Sequence, residues 1–202
     1  EIMRKSMIWV LPLMLLTAAA AGELEIGSEM PLAEVKMTDV GGKNVSLKDA
    51  MGKNGLLVVF SCNTCPWVDA WEDRYISVSK LSQKKGVGMI AINPNEGSRT
   101  NGDGMDDMQA RAKKAKYDFY YTLDKGSKLA SAFGASKTPH IYLFNNKGTL
   151  VYTGAIDDNA RRPRKVENPY LMDAINAMVT GDKINTTSTK ALGCSIKYAT
   201  NN

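Results

Sequence analysis

Two stretches of the chain are apolar from end to end at strand length, Leu56–Phe60 and Val87–Ile92. An unbroken apolar run of that length suits a strand buried on both faces of a sheet. Directly after the first run comes Ser61-Cys62-Asn63-Thr64-Cys65-Pro66, and then Trp67, Trp71, Tyr75 and Val78 recur every three or four positions. That spacing puts the four on one helical face and predicts core packing. Pro66 suits the helix's first turn, where its missing N–H has no partner in any case. Met105–Ala115 reads as a second helix, with Asp103, Asp106 and Asp107 near its start and Lys113, Lys114 and Lys116 at its end, each sign where the helix dipole favours it.

Further elements follow the same logic. Val35–Val40 and Lys43–Leu47 are extended runs separated by Gly41-Gly42. Phe119–Leu123 is a short strand, Ser127–Phe133 a short helix closed by Gly134, and His140–Phe144 with Thr149–Thr153 a hairpin over the turn ending at Gly148. Pro169–Thr180 is a helix stopped by Gly181, and a last apolar segment, Leu192–Tyr198, holds Cys194. Strands alternating with helices imply parallel strands joined by crossovers, and the hairpin adds antiparallel strands. The predicted class is α/β, a mixed central sheet flanked by helices, with an N-terminal extension.

Composition narrows the function. With 202 residues, 44% hydrophobic and 23% charged, the chain suits one soluble domain with a real core. The net charge of +5 is modest. The densest basic cluster, Arg161, Arg162, Arg164 and Lys165, lacks interleaved aromatics and reads as a solvated loop, so nucleic acid is not indicated. At the N-terminus Arg4 and Lys5 precede the apolar run Met7–Leu16, and alanines 18–21 follow. This is the order of a secretory signal, with Ala19 and Ala21 fitting the cleavage rule. Residues 1–21 are therefore read as a signal and 22–202 as the mature domain, exported to a periplasmic or extracellular space. The run falls short of the about 20 apolar residues a membrane span needs, so no stable anchor is expected after cleavage.

In such a compartment disulfides persist, and the chain has three cysteines, Cys62, Cys65 and Cys194. The first two lie where a buried strand ends and a helix begins, the usual place for active sites in open α/β sheets. Unpaired N–H groups at a helix start stabilise a thiolate. Cys62 is accordingly read as the attacking thiolate and Cys65, deeper in the helix and less exposed, as the thiol that resolves the mixed disulfide. A static disulfide is the plain alternative. A structural zinc site wants four ligands, and only Cys194 and His140 remain as soft candidates, so no metal is called for. Pro66 stands where a c-type haem motif needs histidine, the acidic group at 103–107 lacks calcium-loop spacing, and no cofactor is implied. Thr138-Pro139, just before a strand, suits a cis peptide whose loop offers backbone groups to an extended substrate. Cys194 is open to three roles: a buried free thiol, an electron relay to the pair, or a bridge between chains. Nothing in the pattern bears on oligomeric state.

Several stretches together resemble one superfamily: Val59–Trp67 around the cysteines, Ala91-Ile92-Asn93-Pro94-Asn95, Phe133-Gly134-Ala135 through Thr138-Pro139, Tyr152–Asn159, and Gly193-Cys194-Ser195-Ile196-Lys197-Tyr198. They resemble the thioredoxin-like superfamily, and within it the redoxin branch of peroxiredoxins and exported thiol–disulfide oxidoreductases. The resemblance implies a redox-active Cys62–Cys65 pair facing a cis-Pro139. It also marks a departure, because peroxiredoxins carry threonine three residues before their peroxidatic cysteine. If Cys65 took that cysteine's place, Cys62 would stand at the threonine position. The leading reading is an oxidoreductase acting on protein thiols with a separate redox partner. A thiol peroxidase and a binding or assembly protein on the same scaffold stand as alternatives.

Overall fold

A computed structural model describes residues 22–199, so the segment read as a secretory signal lies outside the described residues. After an N-terminal strap come β1 (Met37–Asp39), β2 (Asn44–Val45), α1 (Leu47–Ala50), β3 (Gly55–Phe60), α2 (Pro66–Lys84), β4 (Val87–Asn93), α3 (Met105–Ala115) and β5 (Tyr120–Leu123). The second half holds α4 (Lys128–Phe133), β6 (Lys137–Thr138), β7 (His140–Asn145), β8 (Leu150–Gly154), α5 (Tyr170–Thr180) and β9 (Cys194–Ser195). The expected helix at 127 begins one residue later because Ser127, at φ 51, belongs to the preceding 3-10 turn.

The sheet is mixed. β4 pairs with β5 in parallel, β1 runs antiparallel to both β5 and β2, and β7 lies antiparallel between β3 and β8. β3 and β4 lie side by side, and beyond the end of β3 the Ser61 N–H donates to the Ile92 carbonyl at 2.8 Å. Every residue of β3 is buried. The period-two alternation of a strand sorts them: Leu57 and Val59 pack with Trp71, Tyr75, Leu171 and Ile175 of α2 and α5, while Leu56, Val58 and Phe60 pack with Leu47, Leu129 and Phe133 of α1 and α4. Burial on both faces is why the strand has no polar position.

α2 buries Val68, Trp71, Tyr75 and Val78. Trp67 departs from the expected stripe. It lies in the helix's first turn, at the end of the sheet, and is only half-buried, with the Arg161 guanidinium 5.5 Å from its ring centroid. A buried ion pair ties α2 to the loop after β8. Asp157 accepts from Trp71 Nε1 at 3.0 Å and from Arg74 Nε at 3.1 Å, and Arg74 also donates to the carbonyls of Asn159 and Ala160. His140 is buried against Glu23, Tyr142 and Thr153, so it packs under the N-terminal strap. Glu23, hydrogen-bonded to that imidazole, is held below the ordinary carboxyl value. Among the described residues no helix is long and apolar enough to cross a membrane, and no acidic, histidine and cysteine cluster is suited to a metal ion.

Candidate active site

Cys62 follows the end of β3, and Cys65 is the N-cap of α2 with Pro66 in its first turn. Both thiols are free and both residues are 1% exposed. The expected difference in exposure between them is therefore absent. Thr138 serves both sulfurs. Its hydroxyl lies 3.1 Å from Cys62 Sγ, and its carbonyl accepts from Cys65 Sγ at 3.0 Å. The Thr138-Pro139 peptide is cis.

The two thiols are shifted in opposite directions. A hydrogen bond to Cys65 and then burial push the Cys62 thiol up, with the negative charge of Asp103 adding to both and the Thr138 hydroxyl opposing. The hydrogen bond from Cys62 holds Cys65 below the ordinary thiol value, helped by the Cys194 thiol and by the N–H groups of Val68 and Cys194, against the effect of burial. The donors at the helix start thus reach the N-cap cysteine rather than the one before it. The two thiols titrate as a pair, so the first proton to leave and the one that remains belong to both sulfurs.

Asp103, read from the sequence as a helix-start charge, has a different job. It is fully buried and accepts from the Asn63 N–H at 2.7 Å, Thr64 Oγ1 at 2.9 Å, Asn93 Nδ2 at 3.0 Å and Asn95 Nδ2 at 2.9 Å. Asp107 is the residue that caps α3, accepting from the Gly104 N–H. Two more side chains hold the loop between the cysteines: Arg111 donates to the Asn63 carbonyl at 2.9 Å and Tyr121 Oη to Asn63 Oδ1 at 2.9 Å. Sequence reasoning missed Asp103, Asn95, Arg111 and Tyr121 as parts of the site. The available signal was Gly102-Asp103-Gly104: a side chain at 102 would meet Thr64, and one at 104 the Arg99 carbonyl.

The C-terminal segment completes the site. β9 pairs antiparallel with β6, placing Cys194 opposite Thr138. The Ile196 N–H donates to the Ser136 carbonyl, the Lys197 N–H to Asn95 Oδ1, and Tyr198 Oη to the Ala135 carbonyl. Gly193 is needed here, since a Cβ would sit 2.3 Å from the Thr138 carbonyl oxygen. The edge of Thr138 expected to receive substrate is thus taken by the chain's own tail. Cys194 is partly exposed, and its thiol is pushed up to about 11, first by burial and then by Cys65 beside it.

A mixed sheet with a dithiol at the start of its first long helix and a cis-proline facing it defines a thioredoxin-like protein of the redoxin branch. The AhpC/TSA family matches residues 26–153, and the chain belongs to it. The thiol-disulfide oxidoreductase ResA of Bacillus thuringiensis subsp. konkukian is 26% identical over 137 residues, 64% of this chain and 69% of that protein. An uncharacterized conserved protein from Geobacillus kaustophilus superposes with a TM-score of 0.81 at 27% identity, covering 88% of this chain and 94% of its own. A hypothetical protein from Sinorhizobium meliloti gives 0.79 at 27% identity, covering 89% and 98%. These relationships place the chain among redox proteins.

Proposed function

We propose that the chain is an exported thiol–disulfide oxidoreductase that exchanges its Cys62–Cys65 pair with the thiols and disulfides of proteins. The observation carrying this reading is that one residue, Thr138, serves both sulfurs, with a hydroxyl for Cys62 and a carbonyl for Cys65. When the shared proton sits on Cys65, its S–H donates to that carbonyl and the Thr138 hydroxyl can donate to the Cys62 thiolate. Cys62 then attacks a substrate disulfide, forming a mixed disulfide and releasing the substrate's other sulfur as a thiolate that takes up a proton. Cys65 attacks Cys62 Sγ, the substrate's first sulfur leaves, and the Cys62–Cys65 disulfide closes. Run backwards, the same steps oxidise a substrate dithiol. Thr138 and Pro139 would guide the substrate strand once β9 lifts away.

Single-serine variants test this. Cys65→Ser is expected to trap a mixed disulfide through Cys62 from an exported-protein extract, and Cys62→Ser to trap none. The wild-type pair is expected to titrate reversibly between roughly −120 and −270 mV, and a pair that stays oxidised below about −300 mV would mark a structural disulfide on a binding scaffold. A thiol peroxidase is the second reading, favoured by the lowered thiol of Cys65 at the start of α2. It requires consumption of hydrogen peroxide in stoichiometric excess over protein when a dithiol is supplied.

A further inference from the structure

We infer that Cys194 is a third redox thiol, taking the disulfide from the Cys62–Cys65 pair through Cys65 and passing it to an external dithiol. The inference rests on the proposed exchange at Cys62–Cys65 and assigns the sulfur through which the oxidised pair is regenerated.

Placement carries the argument. Cys194 pairs with Thr138, the residue whose carbonyl contacts Cys65 Sγ, so the tail brings its thiol to Cys65. Cys194 packs against the buried cluster that holds Cys62 and Cys65, and its thiol helps hold Cys65 below the ordinary thiol value. The tail is held on both sides of Cys194. Gly193 allows the close approach to Thr138, and Ile196 is buried among core residues of the second sheet face. Exposure separates the three thiols. Cys62 and Cys65 are 1% exposed, whereas Cys194 is partly open to solvent. An external reductant therefore meets Cys194 first.

The step balances without an added oxidant. Starting from the Cys62–Cys65 disulfide, the Cys194 thiolate attacks Cys65 Sγ. The Cys65–Cys194 bond forms, the Cys62–Cys65 bond breaks, and Cys62 leaves as a thiolate that takes the proton Cys194 gave up. A dithiol reductant then attacks Cys194 Sγ, expels Cys65 as a thiolate, and resolves the mixed disulfide with its own second thiol. The reductant ends as a disulfide and all three cysteines end reduced.

The test uses residues 22–202, the chain left by the proposed signal cleavage. Cys62→Ser is equilibrated in glutathione buffers, quenched in acid, alkylated with a mass tag, digested and mapped. One intramolecular disulfide joining the Cys65 and Cys194 peptides is expected. Two free thiols across the range in which the wild type oxidises would overturn the inference. Cys62→Ala, with far-UV circular dichroism matching the wild type, gives the same readout should the serine variant misfold. In Cys194→Ser the Cys62–Cys65 disulfide is expected to form still, with its reduction by dithiothreitol slowed at least tenfold. An unchanged rate would overturn the role of Cys194 in passing the disulfide on. The two readings fail separately: loss of the Cys62–Cys65 disulfide in Cys194→Ser, with Cys65–Cys194 still forming in Cys62→Ser, removes the proposed pair and leaves the third thiol standing.

Discussion

Cys194 lies opposite Thr138 in an antiparallel pair, which sets the chain's own C-terminal strand on the edge beside the two buried cysteines. The reduced site is closed by a segment about 130 residues downstream of the pair it covers. Access to Cys62 then depends on how readily β9 leaves β6.

Gly193→Ala tests that dependence. The added Cβ would stand 2.3 Å from the Thr138 carbonyl oxygen. Overpacking of this kind costs about 1–3 kcal/mol, enough to raise an opening equilibrium about tenfold. Alkylation of reduced Cys62 and Cys65 by N-ethylmaleimide is expected to speed up by about that factor, followed by peptide mapping. A rate equal to wild type would mean that the tail does not control access.

Asp103→Ala removes the acceptor of four donors, on Asn63, Thr64, Asn93 and Asn95. The amides of Asn93 and Asn95 are buried, and buried donors left unsatisfied cost about 1–3 kcal/mol each, so a loss of about 3 kcal/mol is expected in urea denaturation. Removing the charge also relieves its upward push on the Cys62 thiol. A loss under about 1 kcal/mol would show that the loop is held by other means.

Asp157→Ala removes the buried partner of Arg74, whose side chain is 11% exposed, and leaves it only the exposed carboxylate of Asp73 as an ion-pair partner. Breaking a buried ion pair from one side costs about 3–5 kcal/mol, read as a lowered denaturation midpoint. Arg74→Met in the same background should recover part of the loss, because the charge left without its buried partner is gone.

The thiols give the reduced protein a signed pH dependence. Cys65 is depressed in the folded state, so its contribution is present above the ordinary thiol value of 9.0 and is lost as pH falls through the folded value. Cys62 and Cys194 are raised, so above 9.0 the unfolded chain ionises where the folded one does not, and stability falls. The difference in denaturation free energy between the reduced wild type and a Cys62→Ala, Cys65→Ala, Cys194→Ala variant should therefore peak near the ordinary thiol value. A flat difference would contradict the shifted thiols. In Cys62→Ala, where the main hydrogen bond to Cys65 is gone, thiolate absorbance at 240 nm should appear at higher pH.

Local patterns carried the fold into view. Leu56–Phe60 showed its two-sided burial by having no polar position, and Met105–Ala115 showed its ends by charge. Cys62, Cys65 and Thr138-Pro139 were legible because spacing and position alone suffice for them. Asp103 and Arg111 were not, because their partner Asn63 is 40 and 48 residues away and either side chain reads equally well as a solvated helix charge. The direction in which each thiol is shifted was out of reach for a related reason. Helix-start donors can be counted from sequence, but which sulfur they reach depends on Cys65 being the N-cap and on a tail strand that no local pattern announces.

The side-chain amide of Asn95 donates to Asp103 and accepts from the Lys197 N–H. A flipped amide would set like poles together at both ends, so polarity as well as packing fixes its orientation. Deamidation at this position would place a second carboxylate against Asp103 while keeping an acceptor for Lys197. One slow chemical change in an ageing molecule would then loosen the loop between the cysteines from the strand that covers them, leaving the sheet beneath untouched.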